Sequence, residues 1–237
     1  MLKHHQEILQ EIKKHAGERT SHSGNDSYLS SGHRYYSVSN PVKRKLVRDW
    51  VKLHKNLSVE EYSELLDSLY ESGSYEEKTS ASLLLGYFPR LRKEISTGSL
   101  DGWLGELCGW AEVDSLCQSN FTAEDMLLRL GEWEKFIRKL SKDQNINKRR
   151  ASLVFLTGVV GKTDDPRLAA LGFQVINTLQ NERDILITKA VSWLLRDLVK
   201  LHREKVERYL ESNADKLPAI AIRETRNKLK SGRKSGK

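Results

Sequence analysis

Three short strings in this 237-residue chain hold side chains that could act together. In LCGWAEVDSLC, Trp110 and Asp114 stand four apart, so a helix would carry an indole and a carboxylate on one face. In NINKRRASLVFL, Arg149 and Arg150 open an apolar helical run. In KAVSWLLRDLVK, Trp193 has Lys189 four residues before it and Arg196 three after. Two arginines at a helix start oppose the helix dipole, but the same place suits them if they face a phosphate. Each residue also has an ordinary use. A Trp on an amphipathic helix is usually core, an Asp one turn from it is usually solvated or capping, and adjacent arginines are usually surface. By pattern alone they are candidates and no more.

Other catalytic signatures are missing. The chain has no HExxH, no Walker A, no dinucleotide glycine fingerprint, no GxSxG and no His/Cys metal cluster. Its seven His are scattered, five of them before position 34. Cys108 and Cys117 lie nine apart in one apolar segment, which fits buried thiols and is two ligands short of a Cys-based zinc site. No metal or nucleotide cofactor is expected.

The elements that would position these residues read as helices throughout, with no sustained period-2 alternation. Leu2, Ile8, Leu9 and Ile12 mark a first amphipathic helix, and a Gly/Ser-rich flexible loop follows over 17–33. Asn40 as cap and Pro41 at the first helical position open the next helix, with Val42, Leu46, Trp50 and Leu53 near one face. Ser58 with Glu61 and Ser74 with Glu77 form two capping boxes, and Pro89 ends or kinks the second of those helices. Further helices are expected over 99–117, 122–142, 146–160, 165–180, 184–201, 203–211 and 218–229. Helices of this length recur in pairs every 35–45 residues or so. The expected fold is therefore all-α, a single domain over 1–237 built as an α-solenoid of HEAT-like helix pairs with a concave groove.

Charge is uneven along that array. The net charge is +8, yet the last fifth of the chain, from Ile187, holds 14 basic and 6 acidic residues, and the preceding part balances. A cationic end on a neutral body suits a polyanion, most commonly nucleic acid. The tail over 231–237 is equally readable as a disordered, solubilising basic end. With no 18-residue apolar run and no secretory h-region, the expectation is a soluble cytoplasmic protein that does not span a membrane.

The strings WAEVDSL, INKRRASLVFL and ITKAVSWLLRDLVK, in that order, resemble the AlkD-type family of DNA alkylation repair glycosylases over about residues 34–230. HRYYSVSNPVKRKLVRDW resembles that family's first groove helix and its aromatic lead. The resemblance implies a monofunctional, base-excision-type hydrolase that removes cationic N3- and N7-alkylated purines from duplex DNA without a metal and without deep base flipping. Asp114 would be the catalytic carboxylate, Trp110 and Trp193 the indoles facing the lesion's sugar and backbone, and Arg150 the holder of the DNA backbone. Arg149, Lys189 and Arg196 would add phosphate contacts. The chemistry is coherent: an alkylated purine is already a good leaving group. A fixed carboxylate can then stabilise the oxocarbenium-like sugar, and indole faces can attract it. Two positions depart from the family, where Trp is frequent: here they are Gly109 and Asn147.

Two other readings stand beside this one. The chain could be a non-catalytic solenoid that recognises damaged or branched DNA by shape. It could instead be a protein–protein scaffold in which Trp110 and Trp193 are simply core. The implied partner is double-stranded DNA containing alkylated bases, with no obligatory protein partner and a monomeric state.

Overall fold

A computed structural model describes residues 2–17, 31–118 and 120–235. Most of the loop expected over 17–33, and the last two residues of the tail, lie outside them. Among the described residues the chain is all-helical, with thirteen helices and no strand, as an α-solenoid of helix pairs requires. It divides into two compact units, Met1–Leu116 and Cys117–Lys237.

The first unit holds α1 (Lys3–Lys14), α2 (Asn40–Leu53), α3 (Val59–Tyr70), α4 (Tyr75–Tyr87), α5 (Pro89–Arg92), α6 (Thr97–Glu106) and nearly all of α7 (Gly109–Cys117). Helices adjacent in the chain pack on one another, α1 on α2 and α3 on α4, with α2 also against α4. Helical spacing explains the buried faces. α1 turns Ile8, Leu9 and Ile12 inward, and α3 turns in Tyr62, Leu65, Leu66 and Leu69. Each such fully buried side chain contributes about 1.5–3 kcal/mol.

Four local expectations are corrected here. Asn40 is already helical; Ser39 occupies the cap position and makes no side-chain capping bond. α2 buries Lys43, Leu46, Val47 and Trp50, while Val42 and Leu53 are exposed, so the inward face is rotated by about one residue. Of the two expected capping boxes, only that of Ser58 and Glu61 closes fully. Ser74 does accept from the Glu77 amide, but the Glu77 carboxylate is bonded instead to the Ser74 hydroxyl and to His5 Nε2, 2.7 Å away in α1. The helix expected over 99–117 is two helices, because Leu107 is extended (φ −93°, ψ 144°) and Gly109 has φ +74°.

The second unit holds α8 (Ala123–Leu128), α9 (Leu130–Leu140), α10 (Ile146–Val154), α11 (Pro166–Leu179), α12 (Ile185–Asn213) and α13 (Ala219–Ser231). The helix expected over 122–142 is interrupted at Arg129 (φ −124°, ψ 43°), giving α8 and α9. α10 stops at Val154 and turns follow to residue 162. α12 joins the two helices expected over 184–201 and 203–211 across a kink at His202 (φ −127°, ψ 38°). α9 buries Trp133, Phe136, Ile137 and Leu140. Trp133 sits among Phe121, Phe155 and Phe136, with ring centroids 5.1, 5.5 and 6.0 Å away. α12 is the spine of this unit and packs on α10, α11 and α13 through Val191, Leu194, Leu195 and Leu198.

The chain continues helical to Ser231, past the expected end at 229, and Gly232 caps it in the left-handed conformation (φ +72°). Residues beyond it return to α13: Asn227 Nδ2 donates to the Lys234 carbonyl at 3.1 Å, and Lys234 Nζ lies 3.2 Å from Glu224. The described part of the 231–237 tail is therefore held. No helix among the described residues is long and apolar enough to cross a membrane.

Candidate functional site

In the first unit the candidate residues sit on α7, whose start is fixed by a carboxylate. Glu112 is fully buried; its Oε2 accepts the Cys108 backbone N–H at 2.9 Å and its Oε1 lies 2.9 Å from His33 Nδ1. The left-handed Gly109 lets the chain turn sharply into that helix. Val113 and Leu116 are fully buried, and Trp110 and Asp114, one turn apart, share a half-buried face. The aromatic lead is also pinned: Tyr36 and Val38 donate backbone N–H groups to Glu76 at 2.9 and 3.3 Å. Beneath it Lys43 is buried, with its ammonium 4.7 Å from the Tyr75 ring centre and donating to Thr79 Oγ1. Burial pushes its pKa down to about 8, against the pull of Glu76.

The five tryptophans divide cleanly. Trp50, Trp103 and Trp133 are at most 5% exposed and belong to the core. Trp110 and Trp193 are only half-buried. Both are therefore less deeply buried than the other three. The spacing held the signal: Trp133 shares its helix face with Phe136, Ile137 and Leu140, while Trp193 shares its face with Lys189 and Arg196.

In the second unit Lys189, Trp193 and Arg196 run along one face of α12, with Lys189 exposed and the other two half-buried. Arg196 Nε lies 3.6 Å from Glu224, a buried carboxylate that also accepts the Ser192 hydroxyl at 2.5 Å. Glu224 and Ser192 were not singled out from the sequence; they fix Arg196 one turn from the indole. Arg150 on α10 is 5% exposed and donates to the Leu186 carbonyl at the start of α12. Arg149 is half-buried and engaged: its guanidinium grips Glu182 through two bonds of 2.7 and 3.2 Å and donates to the Asp143 and Gln144 carbonyls. Asn147 is buried, and its backbone N–H completes the Asn145 cap of α10 at 2.8 Å.

Trp110 and Asp114 thus belong to the first unit, and Arg149, Arg150, Lys189, Trp193 and Arg196 to the second. What these surfaces offer chemically is a carboxylate one turn from a half-buried indole, and a half-buried indole between two cations.

The family model for DNA alkylation repair enzymes matches residues 8–229. Among solved structures, the chain is similar to a predicted DNA alkylation repair enzyme from Enterococcus faecalis. The TM-score is 0.69 at 19% identity, covering 84% of this chain and 90% of that one. At that identity the likeness speaks for the fold. No curated protein matches the chain.

Proposed function

Because the chain belongs to the DNA alkylation repair enzyme family, we propose that it is a monofunctional DNA glycosylase that hydrolyses the N-glycosidic bond of cationic N3- or N7-alkylated purines in duplex DNA. The family supports a role in alkylation repair; the reaction, the substrate and the residues are the proposal. The observation that carries it is the division of the tryptophans: three are buried in the core, whereas Trp110 and Trp193 are half-buried.

In this reading Asp114 stabilises positive charge as it moves from the purine onto the deoxyribose, and orients the attacking water. Trp110 and Trp193 offer indole faces to the electron-poor sugar. Lys189 and Arg196 meet phosphates, and Arg150 holds the backbone near the lesion after exchanging the Leu186 carbonyl for a phosphate oxygen. Arg149 contributes only when the Glu182 pair opens. The leaving group is already activated, so no metal, cofactor or strong general acid is required. The protein acts in the cytoplasm as a monomer.

The test is release of base from a duplex carrying a single 7-methylguanine, with wild type and Asp114→Asn side by side. The expected result is abasic product from wild type and strongly reduced product from the variant. No release from either, with salt-sensitive binding intact, would establish the second reading, a shape-recognising DNA binder. Buried Asn147 favours that reading, because it offers no aromatic where family members often place one. Loss of binding as well would leave the scaffold.

A further inference from the structure

The N-terminal half of the first unit holds a cluster that the proposed reaction does not use. His4 and Glu7 lie one turn apart on α1, and His54 is the residue that ends α2. Their ligating atoms all lie within 4.8 Å of one another. Glu7 Oε2 is 3.2 Å from His4 Nδ1 and 3.1 Å from His54 Nε2. Nitrogen and oxygen ligands on a tetrahedral zinc, with bonds of about 2.0–2.1 Å, stand about 3.3 Å apart. Two of the three separations already match that spacing.

The hydrogen bonds around the cluster prepare it for a cation. His54 Nδ1 lies 2.8 Å from the Trp50 carbonyl, which can only accept, so Nδ1 carries the proton. In the neutral ring the Nε2 lone pair then faces the Glu7 carboxylate, and two acceptors confront each other. A divalent cation between them resolves the conflict. A histidine that donates its other N–H to a backbone carbonyl is the usual second partner of a metal ligand. Glu7 is oriented in the same way, by the Trp50 indole N–H at 3.0 Å. Trp50 also stacks on His54 (ring centres 4.0 Å apart, planes at 13°) and fixes the ring plane. The C-terminal end of α2 adds partial negative charge where His54 stands.

We propose that His4, Glu7 and His54 bind one zinc-class divalent cation, ligated by His4 Nδ1, a Glu7 carboxylate oxygen and His54 Nε2. Two nitrogens and one carboxylate suit zinc, nickel or cobalt better than magnesium or calcium. Cavities of about 470 and 420 Å³ border the cluster, the first lined by Glu7 and His54 and the second by His4 and His54. They leave room for water at the remaining coordination position. The cation ties α1 to the end of α2. It lies on helices that carry none of the residues proposed for base excision, so the two proposals stand or fall separately.

The experiment is calorimetric titration of zinc chloride into the full chain after chelator treatment, in a buffer that does not bind metal. Wild type should bind one zinc per chain and unfold at higher temperature with zinc than without. His4→Gln and His54→Gln should each weaken binding by at least about 10–100-fold, because they remove a ligand rather than an outer partner. His15→Gln, at the residue that caps the end of α1 and outside the cluster, should bind as wild type does. Circular dichroism checks that each variant is folded. No zinc binding by the wild type, or unchanged binding in both ligand variants, overturns the proposal. The His54–Glu7 contact is then an imidazolium–carboxylate pair held by a proton alone.

Discussion

Replacing Trp193 and Trp133 by alanine in parallel separates a working indole from a structural one within a single unit. Trp133 is fully buried among three phenylalanine rings, and its indole N–H has no hydrogen-bond partner, so its removal strands no polar group. The cost is then packing and cavity alone, about 3–5 kcal/mol. Trp193 is half-buried between charged neighbours, and the smaller area it hides predicts a loss of about 1–2 kcal/mol. The functional effects run the other way. If the indole face meets the cationic sugar in a dry contact worth about 2 kcal/mol, losing it slows base release about thirtyfold. Urea unfolding measures the first quantity, and single-turnover release of 7-methylguanine per folded molecule measures the second. The reasoning fails if Trp193→Ala loses as much stability as Trp133→Ala, or if it releases base at the wild-type rate.

Other expectations follow from features already described. Lys43→Met should raise stability by up to ~3 kcal/mol near neutral pH, the equivalent of a shift from 10.5 to about 8 in a fully buried group. Thr79 keeps its bond to the Tyr75 carbonyl in that variant. The sign is testable in the wild type. Its depressed folded-state pKa means that the unfolded chain binds more protons between about 8 and 10.5, so stability should rise with pH across that window and the variant should lack this rise. Glu77 is displaced in the opposite sense for stability. Burial pushes it up, but the bonds from His5 and Ser74 outweigh that and hold it below its ordinary value of 4.5. Its stabilisation should therefore be present above that value and lost on further acidification, and an acid titration of Glu77→Gln should lack that component. Lys189→Ala should leave folding intact and reduce the slope of log binding against log salt by about 1; an unchanged slope removes Lys189 from the phosphate contacts. Gly109→Ala should cost about 1–2 kcal/mol by urea unfolding, because its backbone is left-handed.

Local chemistry was legible in the sequence where it stays local. The Ser58–Glu61 box and the Pro89 stop depend on neighbours in the chain, and both are found as read. The Ser74–Glu77 box closes only in part because His5, 72 positions away in the chain, takes the carboxylate. The break at Gly109 was hidden because the apolar spacing runs through it: Leu104, Leu107, Ala111 and Leu116 are all buried although two helices carry them. At the candidate site the pattern favoured core for Trp110 and Trp193, and only the charged neighbours of Trp193, Lys189 and Arg196, hinted at its half-buried place. The commitments of the cations were not legible: Arg149 finds Glu182 33 residues on, and Arg196 finds Glu224 on the following helix. Three-dimensional partners of this kind leave no periodicity behind. The same holds for His54 and Glu7, which meet only because α1 packs on α2.

Gly109 also constrains how this protein can change by descent. Its left-handed turn follows an extended Leu107, and together they set the direction in which α7 leaves. A side chain arriving at 109 by a single substitution meets a backbone it cannot adopt cheaply, whatever benefit an aromatic there would bring. Remodelling the bend over residues 107–109 first, or at the same time, removes that cost. The order of substitutions is therefore biased, and an aromatic at this position is reached most cheaply through an intermediate that already carries a different bend.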